Sequence, residues 1–316
     1  MSNKDNLVII GAGLAGPLMA TYLSNLGYNV DIYERRPDMR YIDQSAGRSI
    51  NLALSKRGIR ALRDIGLYEK IKSKLIPMKG RMIHNIDGST QLQKYGQKTN
   101  EVIYSISRAF LNISLMEYCE NNGNVRIHCE HELEYIDMNE QKLIFTNHKS
   151  VKFNRVLGSD GSSSIIRQTI DKLCSINFQK KPLLHGYKEL SIPSTNNGDF
   201  KLEPNALHIW PRGKFMLIAL PNMDGSFTST LFLPMDGKIS FSSIKTKKQI
   251  LDFFQENFPD ALDLFPDIIE TYQNNPIGTL STVYCDKWHY KDKLLIFGDA
   301  AHAIVPFFGQ GMNASF

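Results

Sequence analysis

The sequence predicts an α/β fold, a three-layer Rossmann-like domain on a parallel sheet with a mixed or antiparallel sheet domain inserted into it. Three observations predict it. At the N-terminus an apolar run, Leu7 to Ile10, ends in Gly11-Ala12-Gly13-Leu14-Ala15-Gly16, continues as a helix over Leu14 to Leu26 and returns as a second strand over Val30 to Tyr33. Two later strand-to-helix corners, at Gly158-Ser159-Asp160-Gly161 and at Gly298-Asp299, follow the same plan. Between about Lys172 and Cys285 the character changes, and alternating segments are separated by Pro-Arg-Gly, Pro-Asn-Met-Asp-Gly and Pro-Met-Asp-Gly turns.

The glycines of the first corner have a chemical reason. A pyrophosphate must sit against bare backbone N–H groups at a helix N-terminus, which side chains at Gly11 or Gly13 would obstruct, while Gly16 lets helix and strand approach closely. Glu34, at the end of the second strand, falls where a carboxylate accepts both hydroxyls of an adenosine ribose. It disfavours a phosphorylated ribose, so FAD or NAD fits better than NADP. The absence of charge from Asn6 to Val30 also invites a membrane helix or signal peptide. Its glycines, Pro17, the polar Tyr22–Ser24 stretch and the lack of a basic n-region with a cleavage site argue against both.

After Glu34, Arg35-Arg36-Pro37 breaks the strand and begins an irregular stretch that ends in Gly47 to Ser55. Such a segment suits cofactor contacts, or equally a solvated loop. Ser55 reads as the N-cap of a helix from Lys56 to Ile65, stopped by Gly66. Ile76 to His84 and Ser89 to Tyr95 read as two strands joined by Asp87-Gly88. Ser107 caps a helix from Arg108 to Cys119 with Leu111, Leu115 and Tyr118 on one face, and short strands follow at Val125, Leu133 and Leu143. His128-Cys129-Glu130-His131-Glu132 looks like a ligand set, but on a strand His128 and His131 point to opposite faces, which argues against a metal site.

At the second corner a strand delivers Asp160 and Gly161 to a helix start that the serines can cap, with Arg167 one turn in. A capped junction without a ligand is the plain alternative; paired with the first corner it reads as a second wall of one cofactor site. In the inserted region Leu207 to Trp210, Phe215 to Leu220 and Phe227 to Leu233 are strands, flanked by helices over Lys247 to Asn257 and Pro266 to Gln273. The chain returns with a strand over Lys293 to Phe297, then Gly298-Asp299, an apolar connection containing His302, and Gly309-Gln310-Gly311-Met312-Asn313 opening a helix. His302 reads as structural.

Composition agrees with a soluble globular protein: 316 residues, 42% apolar, net charge +5 and pI near 8.8. Basic residues are interspersed with acids, as in Tyr68 to Lys74, so a solvated surface fits better than a nucleic-acid patch. Cys119, Cys129, Cys174 and Cys285 have no CxxC spacing, which suits a reducing compartment and excludes a dithiol flavoenzyme of the disulfide reductase kind.

The three corners, in this order, resemble the FAD-dependent aromatic hydroxylases of the para-hydroxybenzoate hydroxylase class. The stretches Gly47 to Ser55, Ile76 to His84, Asn205 to Gly213, Ala219 to Phe232 and Gly298 to Asn313 look closer still to the class members that hydroxylate kynurenine, and the likeness runs along nearly the whole chain. The resemblance implies a discontinuous FAD domain over 1–70, 100–172 and 286–316, and a substrate domain over 71–99 and 173–285. It implies bound FAD, NADPH as a transient co-substrate without a nucleotide-binding unit of its own, O2 and L-kynurenine, and neither nucleic acid nor membrane as partner. Glu34 with Tyr33, Arg35 and Arg36 lines the adenosine; Ala15, Ala53, Arg108 and Leu133 match cofactor contacts, and Asp160 and Ile165 of the second corner are counted with them. By the same resemblance Asp299 is expected to bind the ribityl chain, and Met312 and Asn313 match backbone contacts to the isoalloxazine.

Arg81 and Tyr95 match the pair that holds the kynurenine carboxylate, as a guanidinium fork and a phenol in an apolar pocket can. No residue is assigned as an acid or base, because the cofactor carries the hard chemistry and the protein orients substrate, excludes water and stabilises charge near flavin N1 through the helix after Gly309. The class continues beyond the position of Phe316 with mostly helical residues that close the pocket and supply an asparagine and a tyrosine. A chain ending there is expected to keep the FAD fold with impaired hydroxylation, and to be soluble and cytoplasmic without the membrane anchor of eukaryotic members. A non-catalytic FAD-binding fragment and another flavin oxidoreductase are the alternatives, although Trp210-Pro211-Arg212 lacks the Trp-x-Trp-x-Ile-Pro pattern of halogenases.

Overall fold

The structure, a computed structural model, describes residues 6–42, 51–98 and 100–316. The first part of the chain runs β1 (Asn6–Ile10), α1 (Ala15–Asn25), β2 (Asn29–Tyr33), β3 (Asn51–Leu54), α2 (Lys56–Asp64), α3 (Tyr68–Ile71), β4 (Ile76–Met78), β5 (Gly80–His84), β6 (Thr90–Lys94), β7 (Ile103–Ser107) and α4 (Arg108–Asn121). It continues as β8 (Val125–His128), β9 (Leu133–Asp137), β10 (Lys142–Phe145), β11 (Ser150–Lys152), β12 (Arg155–Gly158), α5 (Ile165–Cys174), β13 (Phe178–Ile192), β14 (Ala206–Arg212), β15 (Phe215–Pro221) and β16 (Phe227–Pro234). The last elements are α6 (Lys247–Asn257), α7 (Pro259–Leu262), α8 (Ile268–Asn274), β17 (Ile277–Cys285), β18 (His289–Tyr290), β19 (Leu294–Ile296), α9 (Asp299–His302) and α10 (Gly311–Ser315).

A six-stranded sheet in the order β18-β19-β12-β1-β2-β8 carries the three corners, parallel except at edge strand β18. β1 is an unbroken apolar run because both of its faces are covered. Leu7 and Ile9 pack with Ala20 of α1 and Met116 of α4, while Val8 and Ile10 pack with Ile166 of α5 and the small sheet β11-β10-β9. Those are the three layers. The strand order reverses between β1 and β12, so the crevice beyond their C-terminal ends is the place where an open α/β sheet receives a ligand.

The second large sheet is seven-stranded, β17-β13-β16-β15-β14-β5-β6, and antiparallel except for the β14–β5 pair. Trp210, Leu217, Phe227 and Leu231 line its back face and bury against Ile250, Phe253 and Phe254 of α6. A three-stranded sheet, β3-β7-β4, whose strands flank β5 and β6 in sequence, shares Ala53 and Met78 with the apolar cluster around Leu220.

Several expectations change. Asn51 to Leu54, read as the end of an irregular stretch, pairs antiparallel with β7 as a strand, and Gly47 to Ile50 lie outside the described residues. Ile76 to His84 is two strands, because Lys79 leaves the ladder to donate its N–H to Asn205 O. Ser55 makes no side-chain cap on α2; its own N–H donates to Asn313 Oδ1 at 2.9 Å. His128 and His131 do not face opposite ways. The strand ends at His128 and Glu130 takes φ +58°, so both rings turn onto Tyr33, with centroids at 4.7 and 5.6 Å. Their polar atoms go elsewhere, His128 Nε2 to Asp31 at 2.8 Å and His131 Nδ1 to Cys129 O at 2.6 Å. Among the described residues no group of three His, Cys, Asp or Glu is placed to hold a metal ion.

Lys188 of β13 is 5% exposed and donates from Nζ to Tyr272 O at 2.6 Å and Asn275 O at 2.7 Å, terminating α8 with a buried ammonium. Burial holds its pKa below the usual 10.5. Between the depressed folded pKa and 10.5 the unfolded chain binds more protons, so this residue's contribution to stability rises with pH and is smallest below that window. Lys188→Met is expected to cost about 1–3 kcal/mol at neutral pH, from two orphaned carbonyls, and to remove that slope. Urea melts of both proteins from pH 7 to pH 10 check it; a wild-type-minus-variant difference that falls as pH rises is the contrary result.

Candidate functional site

The first corner is held by the protein's own backbone. A Cβ at Gly16 would stand 2.0 Å from Gly11 O, and one at Gly11, where φ is +104°, would stand 2.5 Å from Ser159 O. Gly11 is therefore required by the Ser159 backbone just after β12, whatever the crevice holds. Gly13 differs: a Cβ there meets nothing within 4 Å. α1 begins just beyond it, at Ala15, with no side-chain cap and no acid in its first turn, so no side chain among the described residues takes up its N-terminal N–H groups.

Glu34 closes this corner from below. It is 6% exposed; Oε2 accepts the Ala12 N–H at 2.8 Å, and Oε1 accepts the Arg36 N–H at 3.0 Å and Arg36 Nε at 2.7 Å. Burial pushes its pKa up, but the Arg36 guanidinium outweighs it, and the carboxyl titrates below its usual value. A narrow cleft lined by Ala12, Glu34, Arg36, Pro37, Met39 and Met116 opens beside it. Arg35 is exposed. The side chains of Tyr33 and Leu133 do not reach this cleft: both are buried in the core on the other face, behind Phe145, and only their main chain is left for a ligand.

At the second corner Asp160 Oδ2 accepts the N–H groups of Ile165 and Ile166 at 2.7 and 3.3 Å, and Ser164 Oγ accepts that of Arg167 at 2.9 Å. The capping expected of this corner is present. Asp160 Oδ1 is buried with no partner among the described residues, and burial pushes the carboxyl pKa up. Arg167, 1% exposed, donates to Ser162 O at 2.7 Å and Ala300 O at 2.6 Å, joining the second corner to the third. Asp299 opens α9 with its side chain exposed.

α10 begins at Gly311, so Met312 and Asn313 lie inside the helix. Asn313 is fully buried; Nδ2 donates to Ala53 O at 2.8 Å and Gly309 O at 3.1 Å while Oδ1 accepts from Ser55, so its side chain is spent on tying β3 to the third corner. Arg108 stands exposed at the start of α4. An orphaned carboxylate oxygen, an open space at Gly13 and an uncapped helix start, around one crevice, fit a dinucleotide.

The front face of the seven-stranded sheet meets these corners. Arg81 of β5 pairs with Leu207 of β14, and Ile218 and Leu220 follow on the same face of β15. They surround Ala53 and Met78 with Tyr95 and Ile103 in an apolar cluster. The Arg81 guanidinium stands 5.5 Å from the Tyr95 ring, and among the described residues no carboxylate pairs with it. Among the described residues Tyr95 Oη is buried with no hydrogen-bond partner in good geometry, Arg81 being the nearest polar neighbour; burial raises its pKa and Arg81 opposes the rise. Phe307 packs edge-on against Phe232 at 5.3 Å beside this face. Leu207, Ile218, Leu220, Phe232 and Phe307 carry no sequence signal of this role: Phe215 to Leu220 is apolar throughout, so no alternation marks which of its residues face the crevice.

Behind the sheet, His84 bridges Asp260 at 3.1 Å and His208 at 2.9 Å. Burial pushes His208 down to about 4, so it is neutral at physiological pH. The pair secures α7 and lies on the face away from Arg81.

Comparison with known proteins agrees with this geometry. The FAD binding domain family matches residues 4–182 and 265–316. A kynurenine 3-monooxygenase of Myxococcus xanthus is 45% identical over 320 residues, covering 100% of this chain and 69% of its own. The chain belongs to the kynurenine 3-monooxygenase family. The family member of Dictyostelium discoideum is 45% identical over 98% of this chain and 67% of its own, and that of Xanthomonas axonopodis pv. citri 44% over 99% and 70%. The chain thus spans about two-thirds of the length of these family members. In fold it is similar to a mutant 2-methyl-3-hydroxypyridine-5-carboxylic acid oxygenase, with TM-score 0.77 at 19% identity over 99% of this chain and 80% of that one. A tetracycline destructase gives TM-score 0.67 at 18% identity over 99% and 79%. No helix among the described residues is long and apolar enough to cross a membrane.

Proposed function

We propose that this chain is an FAD- and NADPH-dependent monooxygenase that converts L-kynurenine, NADPH, a proton and O2 into 3-hydroxykynurenine, NADP+ and water, a step of tryptophan degradation. The observation that carries the reading is Arg81, a guanidinium with no acid partner among the described residues, set over a phenol on an apolar face beside the cofactor crevice. A lone cation in such a place is matched by an anionic substrate with an apolar body. When bound, FAD supplies electron transfer from NADPH and activation of O2.

The chain's own residues do the rest. The Gly13 N–H and the α1 N-terminus hold the pyrophosphate, Glu34 the ribose, Asp160 and Asp299 the far side of the crevice, and the main chain at Met312 and Asn313 the ring system. Arg81 and Tyr95 hold the kynurenine carboxylate. Leu207, Ile218 and Leu220 bury the aniline ring and keep water away from the reacting atoms. The first turn of α10, which no side chain caps, would stabilise negative charge on the cofactor through its N–H groups. NADPH docks transiently on the FAD domain, and the four free thiols suit the reducing cytoplasm. Purified protein is expected to be yellow, to release FAD on denaturation, to oxidise NADPH faster with kynurenine, and to yield a product heavier by one oxygen atom. Colourless protein that takes up no added FAD, or NADPH oxidation indifferent to kynurenine, would contradict the reading.

A further inference from the structure

α4 lies across the first corner and brings a buried carboxamide to it. Asn112, 4% exposed, donates from Nδ2 to Ala12 O at 3.0 Å, with the sulfur atoms of Met39 and Met116 at 3.2 and 3.3 Å. The preceding peptide is fixed at both ends: the Ala12 N–H donates to Glu34 Oε2 at 2.8 Å, and Gly11 O accepts Ser159 Oγ at 2.9 Å. Among the described residues every peptide is trans, so each C=O and N–H of one peptide point in opposite directions. With its carbonyl held toward α4, the 12–13 peptide turns the Gly13 N–H away from α4, and no described residue accepts that N–H.

We propose that Asn112 is a positioning residue for the dinucleotide, aiming the Gly13 N–H at the phosphates by fixing the plane of the 12–13 peptide. This rests on the FAD reading above. The residue type is specific to the task. A leucine of similar shape would have no donor, an aspartate would set a second acceptor against the carbonyl, and Ala12 is fully buried, so water has no access to replace the bond. Arg108, one turn earlier, shares the helix face, so the same stretch of α4 serves the crevice twice.

The test is calorimetric titration of apoprotein with FAD and with adenosine, which has no phosphate, alongside thermal melts. In Asn112→Leu, FAD affinity is expected to fall about tenfold with adenosine affinity within twofold of wild type, since only the phosphate contact is misaligned. If the leucine variant does not fold, Asn112→Ala, whose cavity admits water, carries the same comparison with a smaller FAD loss. Unchanged FAD affinity in a folded variant overturns the proposal, as does an equal loss for FAD and adenosine, which a general loosening of the corner would give. Wild-type protein that binds no FAD overturns the reading of the site instead.

Discussion

Replacing Arg81 with methionine is expected to raise the kynurenine concentration for half-saturation by a factor of about 100–1000 and to leave FAD affinity within about twofold of wild type. The guanidinium is half-buried beside an apolar cluster with no acid partner among the described residues, so a carboxylate bound there exchanges water for this one cation. Losing a buried charge-assisted pair costs about 2–5 kcal/mol, and each 1.4 kcal/mol is roughly tenfold in binding. Arg81→Lys keeps the charge but loses the planar fork, and should recover only part of the loss. Tyr95→Phe removes a hydroxyl with no well-placed hydrogen-bond partner among the described residues, so stability should hold while kynurenine binding weakens about tenfold. The measurement is the kynurenine-induced change in the flavin spectrum, titrated beside the FAD affinity of the apoprotein. Unaltered kynurenine binding in Arg81→Met would place the substrate elsewhere; a parallel loss of FAD would make Arg81 a structural residue.

The sequence shows most plainly what is local and two-sided. β1 is legible because burial on both faces makes it a continuous apolar run, and the corners are legible because glycine and aspartate occur there in strand-to-helix order. β13, the longest strand among the described residues, carries no plain strand signal because Gln179, Lys180, Lys181 and Pro182 interrupt any apolar alternation, and its ladder to β17 is broken between Pro182 and Gly186. The histidine pair misleads because one positive φ at Glu130 reverses the face of His131. Arg81 has no periodic or motif signal, and only family likeness singles it out. Asn112, and the side-chain role of Asn313, escape for another reason: each side chain bonds backbone 100 or more residues away, and a helical asparagine carries no mark of such a partner.

Gly13→Ala and Gly16→Ala should fail in opposite ways, although both lie in one motif and both involve a single methyl group. At Gly13 the methyl meets no atom of a described residue within 4 Å, so apoprotein should melt within a few degrees of wild type, Gly-to-Ala at a compatible site being worth about 0.4–1 kcal/mol of stabilisation at most. The methyl instead stands in the cradle, beside the N–H that Asn112 aims, and FAD affinity is expected to fall about a hundredfold, or roughly 2.7 kcal/mol. At Gly16 the methyl would stand 2.0 Å from Gly11 O, which is backbone pinned by Ser159 and cannot swing aside. The corner must shift, at a cost of about 1–3 kcal/mol or more to the apoprotein before any ligand is added. Melting the two apoproteins and titrating each with FAD separates the outcomes. A Gly13→Ala protein that binds FAD like wild type would mean that phosphate does not lie at the start of α1, and the crevice between β1 and β12 would lose its cofactor.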